Sequence, residues 1–232
     1  MIYVVNKKRK LENVKEEFPN AVILDITSTS DMRYAQILSP FYPHMDIPIP
    51  FTDGLTATCV EAVWQGLKVF EGADVDFATF RNNTMRDLKR TVRKYGMPKG
   101  HRKGAYGTEL LGYFDARMLI YLPTYKWVLD NVSEVHRVVG RIKEQSKIQD
   151  IVFLDYNTNI DFRDVSKPLS HAGLVKLYIE GNYPEGLDGY TPMSKEELEL
   201  KKIRDKEQKK EIKRKAKVKK IELSAGLFDA NN

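Results

Sequence analysis

Glu61, Gln65 and Lys68 interrupt an otherwise apolar run that extends from Thr58 to Phe70. At about 100° per residue, a helix over this run places the three polar side chains within roughly 60° of one another. A carboxylate and an ammonium group that share a cleft can exchange protons with a substrate, because burial and mutual attraction shift their pKa values. The run therefore predicts a helix that carries acid–base residues.

A solvated surface helix is the alternative interpretation, and two features of the run argue against it. The other positions include Cys59, Ala62 and Trp64, so a solvated face would leave much apolar surface exposed. Gly66 costs about 1 kcal/mol relative to Ala in a helix interior, which indicates that another backbone or a ligand passes close by. We therefore expect the helix to be covered on both sides and its polar residues to line a cleft.

The composition predicts a soluble protein with one sizeable core and an appendage. The chain has 232 residues, of which 42% are hydrophobic, and a single cysteine. One cysteine excludes an internal disulfide, and its place in an apolar run is typical of a small core residue rather than a nucleophile. No segment approaches the roughly 18 apolar residues that span a bilayer, and the first residues lack a secretory apolar region. We expect a cytoplasmic location.

The net charge of +6 belongs to one end of the chain. Residues 194–222 contain 13 Lys and Arg against 7 Asp and Glu, whereas residues 1–193 are nearly neutral. Ser194 and Glu197 have the spacing of a capping box, which predicts a long charged helix from Ser194 to about Leu223. This helix could contact an acidic partner or nucleic-acid phosphates, or serve only as a solubilising tail.

The remaining pattern predicts a helix-rich, mixed α+β fold. We expect a body at 1–186, made of an N-terminal α/β unit at 1–37 and a core at 38–185, followed by a linker and basic tail at 187–232. The predicted strands are at 2–5, 21–26 and 148–156, and an extended Pro-rich stretch covers 38–54. The predicted helices are at 11–18, 58–70, 84–95, 110–122, 125–132, 133–145 and 168–181, with an Asp74 or Asp76 cap starting a short one through about Phe80.

Three segments resemble the NADAR superfamily, the group related to the YbiA protein. The family's Leu-Ser-Asn-Phe-Tyr-Pro stretch is similar to residues 38–43, and its Ser-Glu-His-x-Tyr-Gln-x-x-Lys helix is similar to residues 60–68. Its Ala-Lys-Arg step resembles residues 88–90, and its late strand with an acidic end and a following Asp loop resembles residues 154–155 and Asp161. The sequence of these segments also resembles that of a bacterial and phage domain of unknown function related to this superfamily. The likeness covers about residues 38–175, and Pro40 and Ala62 replace the family's Asn and His.

This resemblance implies cleavage of an N-glycosidic bond to ribose, in ADP-ribosyl guanine or in a phosphoribosyl intermediate of riboflavin synthesis. Such a reaction passes through a cationic sugar carbon and needs a carboxylate, a proton source and cations for phosphates. Glu61 is the expected base or charge stabiliser. Lys68 is the expected acid, or the amine that forms an imine with the opened sugar. Asp155 could activate water or cap a turn.

The predicted substrate-binding residues fall into stacking, orienting and phosphate-binding groups. Stacking is expected from Phe41, Tyr42 and Trp64, orientation of the ligand from Gln65, and phosphate binding from Lys89, Arg90, His101 and Arg102. Asp161, like Asp155, could activate water or cap a turn. Each aromatic residue could instead be ordinary core, and Lys89 and Arg90 could form a solvated helix face. His171 is expected to cap or pack, and no metal or cofactor is predicted.

A non-catalytic module that senses an ADP-ribose-like nucleotide, or binds nucleic acid through the tail, is the alternative function. Pro40 and Ala62 favour it, because they remove an amide and an imidazole that could contact substrate. The presence of both Glu61 and Lys68 favours the enzyme.

Overall fold

The computed structural model describes residues 1–207 and 210, which form the mixed α+β structure that the sequence predicts. The strands are β1 (Ile2–Asn6), β2 (Val22–Asp25), β3 (Ile47–Pro48), β4 (Thr56–Ala57), β5 (Lys68–Phe70), β6 (Pro98–Arg102), β7 (Leu110–Leu111) and β8 (Ile151–Asp155). The helices are α1 (Leu11–Glu17), α2 (Arg33–Gln36), α3 (Val60–Gly66), α4 (Phe77–Phe80), α5 (Val92–Tyr95), α6 (Tyr113–Ala116), α7 (Leu122–Asn131), α8 (Ser133–Ile148) and α9 (His171–Ile179). A π-helix at Arg117–Tyr121 joins α6 to α7, and residues 195–207 are also helical.

β8 is the central strand of a parallel sheet, with β1 on one side and β2 on the other. Ile151 pairs with both Ile2 and Val22, so the strands run in register from one edge to the other. The predicted N-terminal α/β unit is therefore incomplete by itself, because its central strand comes from the far end of the body. β3 pairs with β4, and β5, β6 and β7 form a separate antiparallel sheet.

Alternation along β8 decides which side chains reach the main core. Ile151 and Phe153 belong to the main hydrophobic cluster, whereas Val152 packs with Val5 and Val14 under α1. Successive side chains in a strand point to opposite faces, so Asp155 shares the face of Ile151 and Phe153. A carboxylate is thereby placed on the core side at the carboxyl end of the central strand, where open α/β sheets commonly bind ligands.

The chain divides into one compact unit at Met1–Thr191 and a second that begins at Pro192. In the second unit, Ser194 N donates to Glu197 Oε2 over 2.8 Å and Glu197 N donates to Ser194 Oγ over 3.1 Å. The predicted capping box is confirmed. The continuation of this helix towards Leu223 lies outside the described residues.

The helix that carries Glu61 is shorter than predicted. α3 begins after Cys59, whose Sγ accepts a hydrogen bond from Ala62 N, and it ends at Gly66. Lys68 then begins β5, because the chain gains sheet hydrogen bonds with β6 and an Arg102 N to Leu67 O bond of 2.8 Å. Glu61 and Lys68 are thus held by different elements. Burial raises the pKa of Cys59 to about 11, in keeping with the predicted core role.

The predicted helix at 84–95 is wrong except for its last turn, α5. Met85 and Asp87 have φ values of 59° and 55°, in the left-handed region that interrupts a helix. Leu88 is buried in the main core and Arg90 N bonds to the Gln65 side chain, so tertiary contacts replace the helical hydrogen bonds.

The predicted helix at 110–122 is also divided. β7 comes first, and α6 passes into the π-helix, in which Leu122 N donates to Arg117 O five residues earlier. Pro123 follows directly, and proline has no N–H and its ring clashes with the carbonyl four residues before it in an α-helix. The wider π-turn accommodates this proline, and π-turns occur often at functional sites.

Gly66→Ala is expected to lower the free energy of unfolding by about 1–3 kcal/mol, because the new Cβ overpacks the core. It would lie 2.2 Å from Phe80 Cε1, and the Phe80 ring is itself buried. Urea denaturation would measure the loss. Gly140→Ala is the matched control: it lies in α8 with nothing within 4 Å of its Cβ position, so a gain of about 0.5–1 kcal/mol is expected. Equal effects at the two positions would contradict the packing argument.

Candidate functional site

A cavity of about 380 Å³ opens at the carboxyl ends of β2 and β8. Ligand pockets in proteins usually span about 300–1,000 Å³, so a nucleotide-sized molecule fits the volume. Six predicted site residues line this cavity: Phe41, Glu61, Trp64, Lys68, Lys89 and Asp155. The other predicted residues lie outside its wall: Tyr42, Gln65, Arg90, His101, Arg102 and Asp161.

Glu61 and Lys68 have pKa values that are displaced towards each other. Burial raises the pKa of Glu61, although the Gln65 hydrogen bond and the charges of Lys89 and Lys68 oppose the rise. Burial lowers the pKa of Lys68, although the charge of Glu61 opposes the fall. A carboxyl and an amine tuned in this way can exchange protons nearer to neutral pH than free side chains can.

Gln65 positions Glu61 rather than the ligand. Gln65 Nε2 donates to Glu61 Oε1 over 2.9 Å, and Gln65 Oε1 accepts from Arg90 N over 3.1 Å. These bonds fix both ends of the amide, so Gln65 orients the carboxyl group from behind.

Arg90 is a structural residue and not the phosphate ligand that the sequence suggested. Its guanidinium donates to the backbone carbonyls of Gln65, Lys68 and Asp74. It also lies over the rings of Phe70 and Tyr95, at 5.1 and 4.9 Å. These bonds tie the end of α3 to the start of β5 and so hold Glu61 and Lys68 in one site.

Asp155 and His171 form a buried ion pair in the cavity wall. His171 Nδ1 lies 3.1 Å from Asp155 Oδ2, and His171 Nε2 lies 2.9 Å from Ile26 O. Burial opposes the charge of Asp155, but the attraction and hydrogen bonds of His171 and Ser170 lower its pKa to about 2. Burial also opposes the charge of His171, but Asp155 raises its pKa. So acidic a carboxyl group is a weak base, which argues against activation of water by Asp155.

The sequence predicts that His171 caps a helix or packs in the core. Ser170 is the cap, since its Oγ accepts from Gly173 N and donates to Asp155 Oδ2 over 2.7 Å. His171 follows it into the cavity wall. The pairing could not be read from the sequence, because Asp155 ends β8 and Ile26 directly follows β2, both far from His171 along the chain.

Arg117 is a further residue that the sequence argument missed. It is fully buried and donates to the carbonyls of Phe162, Asp164 and Lys167, and to Tyr113 Oη. It lines the cavity and ties the polar loop at 157–168 to the π-helix. The sequence contains one indication of this role, which is an arginine directly before the apolar residues 118–120. If that arginine is buried, its charge needs several hydrogen-bond acceptors.

The aromatic part of the wall centres on Trp64. His101 stacks against it with ring centroids 3.8 Å apart, and Tyr121 meets it edge-on at 5.6 Å. Burial and the charge of Lys68 lower the pKa of His101 to about 3, so its ring is neutral. His101 therefore supports Trp64 from behind and does not bind phosphate as a cation.

Three more predicted residues are engaged elsewhere. Arg102 forms a two-point ion pair with Asp74, at 2.9 and 2.6 Å. Tyr42 packs against His44, with ring centroids 5.0 Å apart. Asp161 Oδ1 accepts from Arg163 N over 3.0 Å, which is a local turn contact. None of the three contributes to the cavity wall.

The charge of the cavity favours an anionic ligand. Because Asp155 and His171 neutralise each other, the other charged wall residues that the structure describes are Lys68, Lys89 and Arg117 against Glu61. Lys89 Nζ lies 5.6 Å from the centre of the Phe41 ring, at the exposed side of the cavity. Cations beside an aromatic surface match a phosphate next to a planar ring.

Within residues 1–207 and 210, no cluster of three or more His, Cys, Asp or Glu side chains could hold a metal ion. A search of the helices in that same part of the chain finds none with the length and apolar character needed to cross a membrane.

Comparison with known proteins identifies a family but no characterised relative. No curated protein and no solved structure matches the chain. A family model matches residues 6–175, which include β2, β8 and every cavity residue discussed above. The chain belongs to this family, which is described as a family of unknown function (DUF6939).

Proposed function

We propose that the protein is an N-glycosidase that hydrolyses an ADP-ribosyl or phosphoribosyl N-glycosidic bond in the cytoplasm. The observation that carries the proposal is the placement of Glu61 and Lys68, with pKa values raised and lowered, in one cavity that also presents cations and an aromatic surface. The resemblance to the NADAR superfamily supports it through Glu61, Trp64, Gln65 and Lys68. We propose that the chain is related to that superfamily.

The two departures from the superfamily's pattern have different weight in this fold. Ala62 is fully buried in the main core, so its side chain is remote from the ligand. Pro40 lines the cavity, where it replaces an amide by an apolar ring. The substrate therefore differs from the superfamily's substrates at the part that faces Pro40.

In the proposed reaction, the bond between C1′ and the base nitrogen breaks and its electron pair stays on the nitrogen. The Lys68 ammonium gives a proton to that nitrogen, and Glu61 stabilises the positive charge that develops on the sugar. Water then adds its oxygen to C1′, and its proton returns to Lys68. Lys89 is the proposed phosphate contact, because the Nη groups of Arg117 already donate to protein oxygens. Phe41 and Trp64 are the proposed stacking surfaces.

A non-catalytic nucleotide-sensing module is the second candidate. The low pKa of Asp155 favours it, because it leaves the cavity without that carboxylate as a base for water. The basic tail could add contact with nucleic acid or an acidic partner. Nucleic-acid affinity that disappears when residues 194–232 are removed, while nucleotide binding persists, would assign that contact to the tail.

The deciding experiment incubates the protein with ADP-ribosyl guanine DNA, NAD, free ADP-ribose and ribosylaminopyrimidine phosphates, with products identified by mass spectrometry. The proposal expects one substrate to yield a free base and a ribose product. Lys68→Ala should abolish this release, whereas Lys147→Ala, in an exposed i,i+3 pair with Glu144, should not. Binding without product formation by any substrate would favour the sensing module.

A further inference from the structure

Tyr121 differs from its aromatic neighbours in the use of its hydroxyl group. The hydroxyl groups of Tyr125 and Tyr183 donate to backbone carbonyls, at Leu38 and Leu122. In the part of the chain that the structure describes, the Tyr121 hydroxyl has no hydrogen-bond partner. Tyr121 is half-buried and lines the cavity, so its hydroxyl group is open to a ligand that could supply the partner a buried phenol normally has.

The position of Tyr121 fixes its ring in the cavity wall. It is the last residue of the π-helix and lines the cavity, with its ring edge-on to Trp64 and stacked at 6.4 Å on Tyr125. These contacts hold the ring firmly in place. Burial and the charge of Glu61 raise its pKa well above the usual value, so the phenol remains a neutral donor.

Glu61 lines the same cavity and is an acceptor when ionised. A donor and an acceptor that line one cavity match a ligand hydroxyl group, which both accepts and donates. On a ribose, the hydroxyl next to C1′ is the 2′-hydroxyl. A carboxylate that accepts from it also lies beside the carbon at which positive charge develops.

We propose that Tyr121 Oη donates a hydrogen bond to the 2′-hydroxyl of the bound ribose while Glu61 accepts from that hydroxyl, so that the cavity selects ribosyl over 2′-deoxyribosyl ligands. This inference rests on the proposed function, because it takes the ligand to be a ribosyl nucleotide. It makes Tyr121 a specificity-determining residue.

The test compares Tyr121→Phe with Tyr125→Phe, since each removes one oxygen and keeps the ring. Calorimetry measures the binding of ADP-ribose and of 2′-deoxy-ADP-ribose, here the analogue in which the ribose distal to adenine, whose C1 reacts, lacks the adjacent hydroxyl group. Urea denaturation measures the unfolding midpoint. Tyr121→Phe should weaken ADP-ribose binding by about 10–100-fold and leave 2′-deoxy-ADP-ribose binding and the midpoint unchanged. Tyr125→Phe should lower the midpoint, because Leu38 O loses its donor, and preserve the preference for ADP-ribose.

The other possible results distinguish a failure of this inference from a failure of the proposed function. If the wild-type protein binds ADP-ribose and Tyr121→Phe binds it equally well, the inference is overturned and the proposed function stands. An equal loss for both ligands, or a midpoint lowered as far as in Tyr125→Phe, would also overturn the assignment. If the wild-type protein binds neither ligand and cleaves no ribosyl substrate, the proposed function fails and the inference fails with it.

Discussion

Glu61→Gln is expected to lower kcat/KM for the cleaved substrate by about 100–1,000-fold, the usual loss when one preorganised electrostatic group is removed. The carboxamide has the shape of the carboxyl group and can still accept the hydrogen bond from Gln65. It cannot supply the negative charge that stabilises a cationic sugar carbon. The loss should therefore appear in kcat more than in KM.

The same substitution should increase stability at neutral pH. Burial raises the folded-state pKa of Glu61 above its unfolded value, so the folded protein holds this proton more tightly. The stability that this provides is complete below the unfolded pKa, about 4.3, and is lost as pH rises through the folded pKa. Gln has no charge to desolvate, so the variant should not lose this stability as pH rises.

Urea denaturation from pH 4 to 8, together with steady-state kinetics, would measure both effects. Glu16→Gln, on the exposed part of α1, is the matched control and should change neither quantity. An active Glu61→Gln enzyme would remove Glu61 from the proposed mechanism. A destabilised one would show that the carboxylate supports the fold.

The sequence predicts well those parts of the site that depend on local pattern. A short continuous apolar run predicts β8 as a buried strand, and the strand period then places Asp155 on the core side. The apolar run around Glu61 predicts a buried helix start, and both Glu61 and Trp64 line the cavity. These residues follow from short-range periodicity, which a sequence contains explicitly.

The other parts depend on contacts between distant segments. Lys68 leaves the helix because β5 pairs with β6, and Arg90 is drawn inward by carbonyls of three separate residues. The π-turn places Tyr121 in the cavity wall, and helical periodicity at 3.6 residues per turn does not anticipate it. In the sequence, Lys68, Arg90 and Tyr121 are indistinguishable from ordinary surface or core residues, because the segments that they contact are distant along the chain.

Asp155→Asn is expected to lower the free energy of unfolding by about 3–5 kcal/mol near pH 6, because it leaves the buried His171 imidazolium without its counter-charge. Asp155 Oδ2 also accepts from Ser170 Oγ and, at 3.4 Å, from Ala172 N, so the cap of α9 loses an acceptor of full negative charge. The loss exceeds that of an exposed ion pair, which contributes about 0–1 kcal/mol.

The pH dependence of stability distinguishes this pair from simple packing. The pKa of Asp155 is lowered to about 2, so its contribution is present above the unfolded value of about 3.9 and is lost as pH falls towards 2. The pKa of His171 is raised, so its contribution is present below about 6.5 and is lost as pH rises through the folded value. The pair therefore stabilises the fold most between about pH 4 and 6.5.

Stability should fall towards pH 2, the acid limb, and above about pH 6.5, the basic limb. In urea denaturation between pH 2 and 9, Asp155→Asn should reduce both of these changes. Glu144→Gln, which removes one partner of the exposed pair with Lys147, should lower stability by less than about 1 kcal/mol and preserve both limbs. If Asp155→Asn still loses stability towards pH 2 as the wild-type protein does, that loss comes from other carboxylates. Loss of both limbs together would show that both come from the ion pair between α9 and the central strand.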